Sequence, residues 1–128
     1  MFGKKKALSA RAMHYDGLRG FGEIPCMIEM SDLAFTFSKI KEKTTVTLPM
    51  ERVTNVEYHL EKQYFLKYHN EEISPNKNNI TRVFLVIDYK DENGAAGRLT
   101  FWECGIKTQD AFSKMQTAFN SAVGSYSL

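Results

Sequence analysis

The chain has few cysteines, no long apolar run and almost no net charge. Its two cysteines, Cys26 and Cys104, form no Cys-x-x-Cys pair and have no histidine at metal-ligand spacing, which argues against a structural zinc site. Two cysteines in 128 residues are also too few for a disulfide-dense secreted fold. We therefore expect two reduced thiols in a cytoplasmic protein. A single bridge between them is the alternative that the sequence leaves open.

The composition indicates neither a membrane span nor a nucleic-acid partner. No apolar run is long enough to cross a bilayer, and polar residues interrupt the segment after the first lysines, so no signal peptide is predicted. The 17 Lys and Arg against 15 Asp and Glu give a net charge of +2, which is too small to indicate nucleic-acid binding.

Residues that could support catalysis or hold a metal are scattered along the chain. The histidines at 14, 59 and 69 lie in separate segments, and the acidic pairs at 71–72 and 91–92 lie in predicted loops, where adjacent carboxylates point apart. The glycines at 17, 20 and 22 do not follow a strong strand and open a helix, as a phosphate-binding loop requires. We predict that the protein is not an enzyme and holds neither a cofactor nor a metal ion.

What the chain does contain is a series of short strand-like segments followed by one amphipathic helix. The hydrophobic content of 43% is sufficient for a core in a single domain of this length. Alternating apolar residues and turn signals predict seven strands at 24–30, 33–39, 44–48, 53–60, 63–69, 82–90 and 98–103. Apolar residues spaced by three and four predict a helix over 108–123. The strand at 82–90 is apolar on both faces, which indicates that part of it is covered twice.

The first 22 residues differ in character from the rest of the chain. They comprise a basic tip at residues 4–6, a segment at 7–13 that could be a short helix or a strand lead-in, and a connector that contains three glycines. We therefore divide the chain into a basic N-terminal segment with a glycine-containing connector, residues 1–22, and one domain, residues 23–124.

Residues 45–57 carry a resemblance to a known family. Their sequence is TVTLPMERVTNVE, in which a strand ends at the pair Leu48-Pro49 and a short turn leads to Val53 and Val56. This segment resembles the strand-turn-strand element of pleckstrin-homology-like domains, in particular the bacterial members and the related GRAM domains. The hairpin before it and the helix at the end of the chain fit the same plan, so the resemblance covers about residues 24–123.

The resemblance implies both a fold and a class of function. The fold is mainly β, α+β by content: a bent, seven-stranded antiparallel barrel capped by the C-terminal helix. Members of the family bind phosphoinositides, peptides or other proteins, and very few are catalytic. Phosphoinositide-binding members usually hold the head group in a long basic loop between their first two strands. Here we identify that loop as Ser31-Asp32, which is short and partly acidic and argues against specific recognition of inositol phosphates.

Two functions follow as hypotheses. The first is a non-enzymatic interaction module for a protein or peptide partner, bound along a strand edge or beside the helix, and able to self-associate. Its candidate interface residues are Trp102, Tyr64 and Tyr68. The alternative is a peripheral binder of anionic lipid head groups, whose candidate residues are Lys4, Lys5, Lys6, Arg11, Lys39, Lys41 and Lys43. A ligand-holding barrel is disfavoured, because Phe112, Met115 and Phe119 of the helix are expected to fill its mouth.

Overall fold

The computed structural model describes residues 7–72 and 82–124. Seven strands and two α-helices follow one another along these residues, with a short 3-10 turn at Met50–Arg52 between the fourth and fifth strands. Their bounds are β1 Leu8–Asp16, β2 Pro25–Met30, β3 Ala34–Lys39, β4 Thr45–Pro49, β5 Val53–Leu60, α1 Glu61–His69, β6 Arg82–Lys90, β7 Ala96–Cys104 and α2 Ile106–Gly124.

The strands form one antiparallel sheet in the order β4-β3-β2-β1-β7-β6-β5. Consecutive strands are neighbours, except that β1 pairs with β7 and thereby joins the two halves of the sheet. The sheet is not closed, because β4 and β5 lie at its two ends and do not pair. The predicted fold class is confirmed: the protein is mainly β, with seven antiparallel strands and a C-terminal helix, and this architecture is consistent with a pleckstrin-homology-like fold.

The segment that the sequence analysis places outside the domain contributes the central strand. Strand β1, Leu8–Asp16, lies within the N-terminal segment 1–22, yet it pairs with β2 over residues 8–13 and with β7 from Met13 onward. Its inward-facing residues, Ala10, Ala12 and His14, are buried. The proposed boundary after residue 22 would therefore separate β1 from the sheet to which it belongs. The short, weakly apolar alternation of Ala10 and Ala12 gave little indication of a strand.

The predicted strand at 63–69 is wrong, because these residues belong to helix α1. The aromatic residues at 64 and 68 are four positions apart. This spacing places them on the same face either of a strand, as two periods of alternation, or of a helix. The helix is favoured at its start, where the Leu60 N–H donates to the Gln63 side chain at 3.1 Å. It ends at Asn70, whose left-handed φ of 49° is typical of a helix C-cap.

The main core lies between the inner face of the sheet and helix α2. Alternate residues of the strands meet there, and α2 covers them with Phe112, Met115 and Phe119, all buried. The predicted helix is confirmed, although it begins at Ile106, two residues before the predicted start at 108. Stacked rings of Phe35, Phe37 and Phe101 run across the sheet beneath this helix.

A second, smaller core lies on the outer face, under α1. It consists of Tyr64 of the helix and of Phe84 and Val86 of β6. Because Val83, Leu85 and Ile87 of the same strand face the main core, β6 is covered on both sides, as its two apolar faces predict. Neither described helix is long and apolar enough to cross a lipid bilayer.

Candidate functional site

Strand β4 presents a backbone edge that none of the described residues covers. Its β-branched residues favour an extended strand, and Pro49 ends it. The Lys39 N–H donates to the Thr44 carbonyl and the Met50 N–H to the Leu33 carbonyl, so the even-numbered residues of β4 face β3. The N–H and C=O groups of Thr45 and Thr47 therefore point away from the sheet. Within the described ranges no residue bonds to these groups, and both threonines are exposed.

The edge of β5 at the other end of the sheet is capped by side chains. The Tyr58 N–H donates to the Oε1 atom of Gln116 in α2 at 2.8 Å, and the Leu60 N–H donates to Oε1 of Gln63 in α1 at 3.1 Å. Gln109 of α2 also donates to the Tyr58 hydroxyl at 2.8 Å. Both helices thus supply glutamine oxygens to outward-facing amides of β5, and a partner strand cannot pair there without displacing them.

The predicted aromatic interface serves mainly to attach α1 to the sheet. Tyr64 is buried and stacks on Phe84 with 4.0 Å between ring centroids, while Phe65 meets the same ring edge-on. Tyr68 is half-buried, packs beside Tyr64 and donates its hydroxyl to Glu57. Tyr64 is therefore a packing residue and offers no exposed surface to a partner.

Glu57 is the acceptor at the centre of the polar contacts between β5 and α1. Its carboxylate accepts hydrogen bonds from Lys67, Tyr68, His59 and Asn55 at 2.5–2.7 Å. Burial acts to raise the pKa of Glu57, but these donors stabilise the charged form more strongly and hold its pKa at about 2. Burial, together with the hydrogen bond to Glu57, raises the pKa of the Tyr68 hydroxyl. Two of the four donors, Lys67 and Tyr68, lie on α1, so the carboxylate of Glu57 holds α1 against β5.

Trp102 lies on the outer face of β7, as the alternation predicts. It is half-buried, and its indole N–H donates to Glu23 in the loop before β2 at 3.1 Å. The Arg82 guanidinium lies 5.3 Å from the ring centroid. On its free side Trp102 borders an open groove of about 450 Å³ that Met13 and Pro25 also line. The indole is thus held by a contact within the chain, from the loop before β2.

The basic residues proposed for membrane binding lie at separate places in the fold. Lys4, Lys5 and Lys6 lie outside the described residues. Arg11 is exposed on the outer face of β1, whereas Lys41 and Lys43 are exposed in the loop between β3 and β4. Lys39 already contacts the Gly20 carbonyl at 3.1 Å and Glu42 at 3.0 Å. Binding of anionic lipids through this set stays a prediction.

The loop between the first two strands is not the one that the sequence analysis identifies. Because β1 is a strand, that loop comprises residues 17–24, and Ser31-Asp32 lies between the second and third strands. The loop at 17–24 carries Arg19 and Glu23, which are charges of opposite sign. The argument against inositol-phosphate recognition from a short first loop therefore loses its basis.

His14 holds the backbone of this loop in place, and the residues around it in the sequence do not predict this role. Its ring is buried between Phe21 and Phe101, which it meets edge-on. The Leu18 N–H donates to Nε2 at 2.9 Å, so Nδ1 carries the hydrogen that is donated to the Gly22 carbonyl at 2.7 Å. Both ring nitrogens thus fix backbone groups of the loop, which makes His14 a structural residue.

Both cysteines are free thiols, which settles the alternative that the sequence left open. Cys26 is buried on the inner face of β2, and burial raises the pKa of its thiol to about 11. Cys104 lies half-buried at the end of β7, where burial and the charge of Glu103 raise the thiol pKa. Across residues 7–72 and 82–124 no three His, Cys, Asp or Glu residues come together in a metal-binding group.

Comparison with known proteins suggests no function for this chain. No protein-family model matches the chain, and no curated protein sequence is significantly similar to it.

The feature most open to a partner is the β4 edge, at Thr45 and Thr47, which the sequence analysis did not identify. The only signal in the sequence is that residues 44–50 carry no charge between the charged residues at 41–43 and 51–52.

Proposed function

We propose that the protein is a non-enzymatic interaction module that binds an extended segment of a protein partner by strand addition at the β4 edge. In this mode, main-chain hydrogen bonds supply affinity and alternate side chains supply specificity. The observation that carries the proposal is the pair of outward-facing amides of Thr45 and Thr47, which no described residue caps. The resemblance to pleckstrin-homology-like domains, a class that includes peptide and protein binders, supports it.

The contrast between the two ends of the sheet strengthens this proposal. Natural sheets protect their edges with charged residues, bulges, prolines or covering elements, because bare edges pair with other chains. Strand β5 is protected by Gln63 and Gln116, whereas within β4 the one such device is Pro49 at its end. Strand β4 therefore offers donors and acceptors in the geometry that an added strand requires.

The charged residues of the outer face support a binding role and not a catalytic one. Arg98 pairs with Asp88 at 2.6 Å, and Arg82 pairs with Glu61 at 2.6 Å. Together with Glu57 and its four donors, these pairs tie secondary-structure elements to one another. Their functional groups already have partners within the fold, so they stabilise the half of the sheet that contains β5, β6 and β7, at the far end from β4.

The test is selection of binding peptides from a library of random extended dodecamers, followed by calorimetry of the selected peptides against two variants. Thr47→Pro removes an outward N–H without breaking a bond to β3, whereas the matched control Thr47→Ala keeps that N–H. We expect Thr47→Pro to weaken binding by about tenfold and Thr47→Ala to leave it within about twofold.

Amide resonances locate the binding site in the same experiment. Peptide binding at the edge should shift the Thr45 and Thr47 amide protons and slow their exchange with solvent. Peptides that bind both variants equally and leave these amides unchanged would contradict the proposal. So would a library that contains no binder for a chain that is monomeric under the conditions of the selection.

A further inference from the structure

We infer that the extended segment that β4 accepts is β4 of a second copy of this chain, so that two sheets join edge to edge about a two-fold axis at Val46. This inference rests on the proposed function and names the partner. The reasons lie in the symmetry of the strand, in the charges that flank it and in exposed apolar residues at the ends of the neighbouring strand β3.

The symmetry of β4 suits antiparallel pairing with itself. An axis at Val46 places Thr45 of one copy opposite Thr47 of the other, with both residues in the orientation that forms ladder hydrogen bonds. Each threonine then donates its N–H to, and accepts at its C=O from, a threonine across the axis. Pro49 is not required as a donor in this register. Threonine pairs opposite one another on the outer face are favourable in antiparallel sheets.

The charges on either side of the strand are complementary in the same register. Lys41 lies five residues before Val46 and Glu51 lies five residues after it. Antiparallel pairing therefore brings Lys41 of each copy to the same end as Glu51 of the other copy. Both residues are exposed, and no ion pair joins either of them to another residue within the described ranges. Opposite charges therefore meet at these two positions, which favours this pairing.

Exposed apolar residues lie at both ends of the neighbouring strand. Leu33, which is 82% exposed, comes directly before β3, and Ile40, which is 43% exposed, comes directly after it. The two-fold axis brings Leu33 of one copy and Ile40 of the other to the same end of the joined sheets. These are two of the large apolar residues that the described part of the chain leaves exposed, and both flank β3, the strand beside β4.

The first experiment measures self-association of the full chain by sedimentation equilibrium from micromolar to millimolar concentration. We expect a monomer–dimer equilibrium that Thr47→Pro weakens by about tenfold to a hundredfold, because each copy loses one donor, and that Thr47→Ala changes little. Exchange of the Thr45 and Thr47 amides should slow as the wild-type concentration rises. Circular dichroism checks that Thr47→Pro retains the fold.

The second experiment tests the register and does not depend on the proline variant. In a Cys104→Ser background, Val46→Cys places two thiols across the axis, where the Cα atoms of a non-hydrogen-bonded pair are about 4.5 Å apart and a disulfide can form. Mild oxidation should yield a covalent dimer. Thr54→Cys, an exposed position on β5 in the same background, should yield none.

The outcomes separate this inference from the proposed function. A chain that stays monomeric to millimolar concentration, or a dimer that Thr47→Pro leaves intact with unchanged exchange at Thr45 and Thr47, overturns the self-pairing. If library peptides still bind the edge in that case, the partner is another protein and the proposed function stands. If no peptide binds, both fail. Absence of a Val46→Cys cross-link in a proline-sensitive dimer overturns the two-fold register at Val46.

Discussion

The two end strands of the sheet, β4 and β5, differ in what lies beyond them. Strand β5 has α2 along its free edge and α1 across its outer face, and each helix places a glutamine on one of its amides. Strand β4 is bonded to β3 on one side, and no described element lies on the other. The two strands are consecutive in the chain and are joined by the 3-10 turn at Met50–Arg52.

The difference shows that protection of an edge is a property of the fold and not of the strand. The residues that cap β5 come from α1 and α2, which follow it in the chain and fold back over it. Their apolar faces bind the two sides of the sheet, and this packing brings Gln63 and Gln116 to the edge. Strand β4 lies at the far end of the sheet from both helices. Substitutions that remove the contacts of α1 and α2 with β5 one at a time test this conclusion, and they differ in their expected effect.

The largest effect is expected where α2 packs on the sheet. Phe119→Ala should lower the free energy of unfolding by about 3–5 kcal/mol, because Phe119 is buried between the helix and the inner face. Urea unfolding followed by circular dichroism measures the change. Thr117→Ala, at an exposed position on the same helix, should change stability by less than about 0.5 kcal/mol. A loss below about 1 kcal/mol for Phe119→Ala would show that α2 is peripheral and does not close the β5 edge.

A smaller effect is expected at Glu57, which joins β5 to α1. Glu57→Gln should lower the free energy of unfolding at neutral pH by about 1–3 kcal/mol, because it removes the charge that Lys67 and three other donors stabilise. The pKa of Glu57 is lowered from 4.5 to about 2, so its contribution is complete above the ordinary value and is lost as the pH falls toward 2.

Unfolding at a series of pH values checks this prediction. The difference between the wild type and Glu57→Gln should shrink as the pH falls from about 5 to about 2. Glu92→Gln, in the exposed turn between β6 and β7, serves as the control and should show no such convergence. A constant difference over this range would mean that Glu57 contributes through its shape and not through its charge.

The smallest effect is expected from the glutamine that caps the edge. Gln116→Ala leaves the Tyr58 N–H without its acceptor and should cost about 1–2 kcal/mol of stability, with faster exchange of the Tyr58 amide. Gln116→Glu keeps an acceptor oxygen and should retain most of the protection. If Tyr58 exchange is the same in the alanine variant as in the wild type, the cap is not what separates β5 from β4. Hydrogen exchange followed by NMR gives the answer for the individual amide.

Much of the fold could be predicted from local patterns, and the errors have a common origin. The strand at 82–90 and its two apolar faces can be predicted, because alternation along a strand is a local property. The segment around Tyr64 and Tyr68 was mistaken for a strand, since a spacing of four fits both periods. Strand β1 is not among the seven predicted strands, because Ala10 and Ala12 are small and the glycines that follow suggest a connector; the sequence leaves residues 7–13 open between a short helix and a strand lead-in.

The candidate site could not be predicted in the same way. Nothing in the order of Thr45, Val46 and Thr47 shows whether their amides bond to a neighbouring strand or face solvent. An edge is defined by the absence of a neighbour, which depends on how every other strand pairs. The same holds for Glu57, whose donors on α1 approach it only when that segment forms a helix.

The sequence by itself determined that this protein is mainly β with a C-terminal helix, because the period of apolar residues depends on each segment and not on its neighbours. The tertiary structure decided which strands lie at the ends, which face α1 covers and which amides remain bare. The pairing of β1 with β7, which sets Met13 opposite Trp102, joins segments almost ninety residues apart and establishes the strand order. Such contacts are chosen by the packing of the whole chain, and the exposed edge of β4 is their consequence.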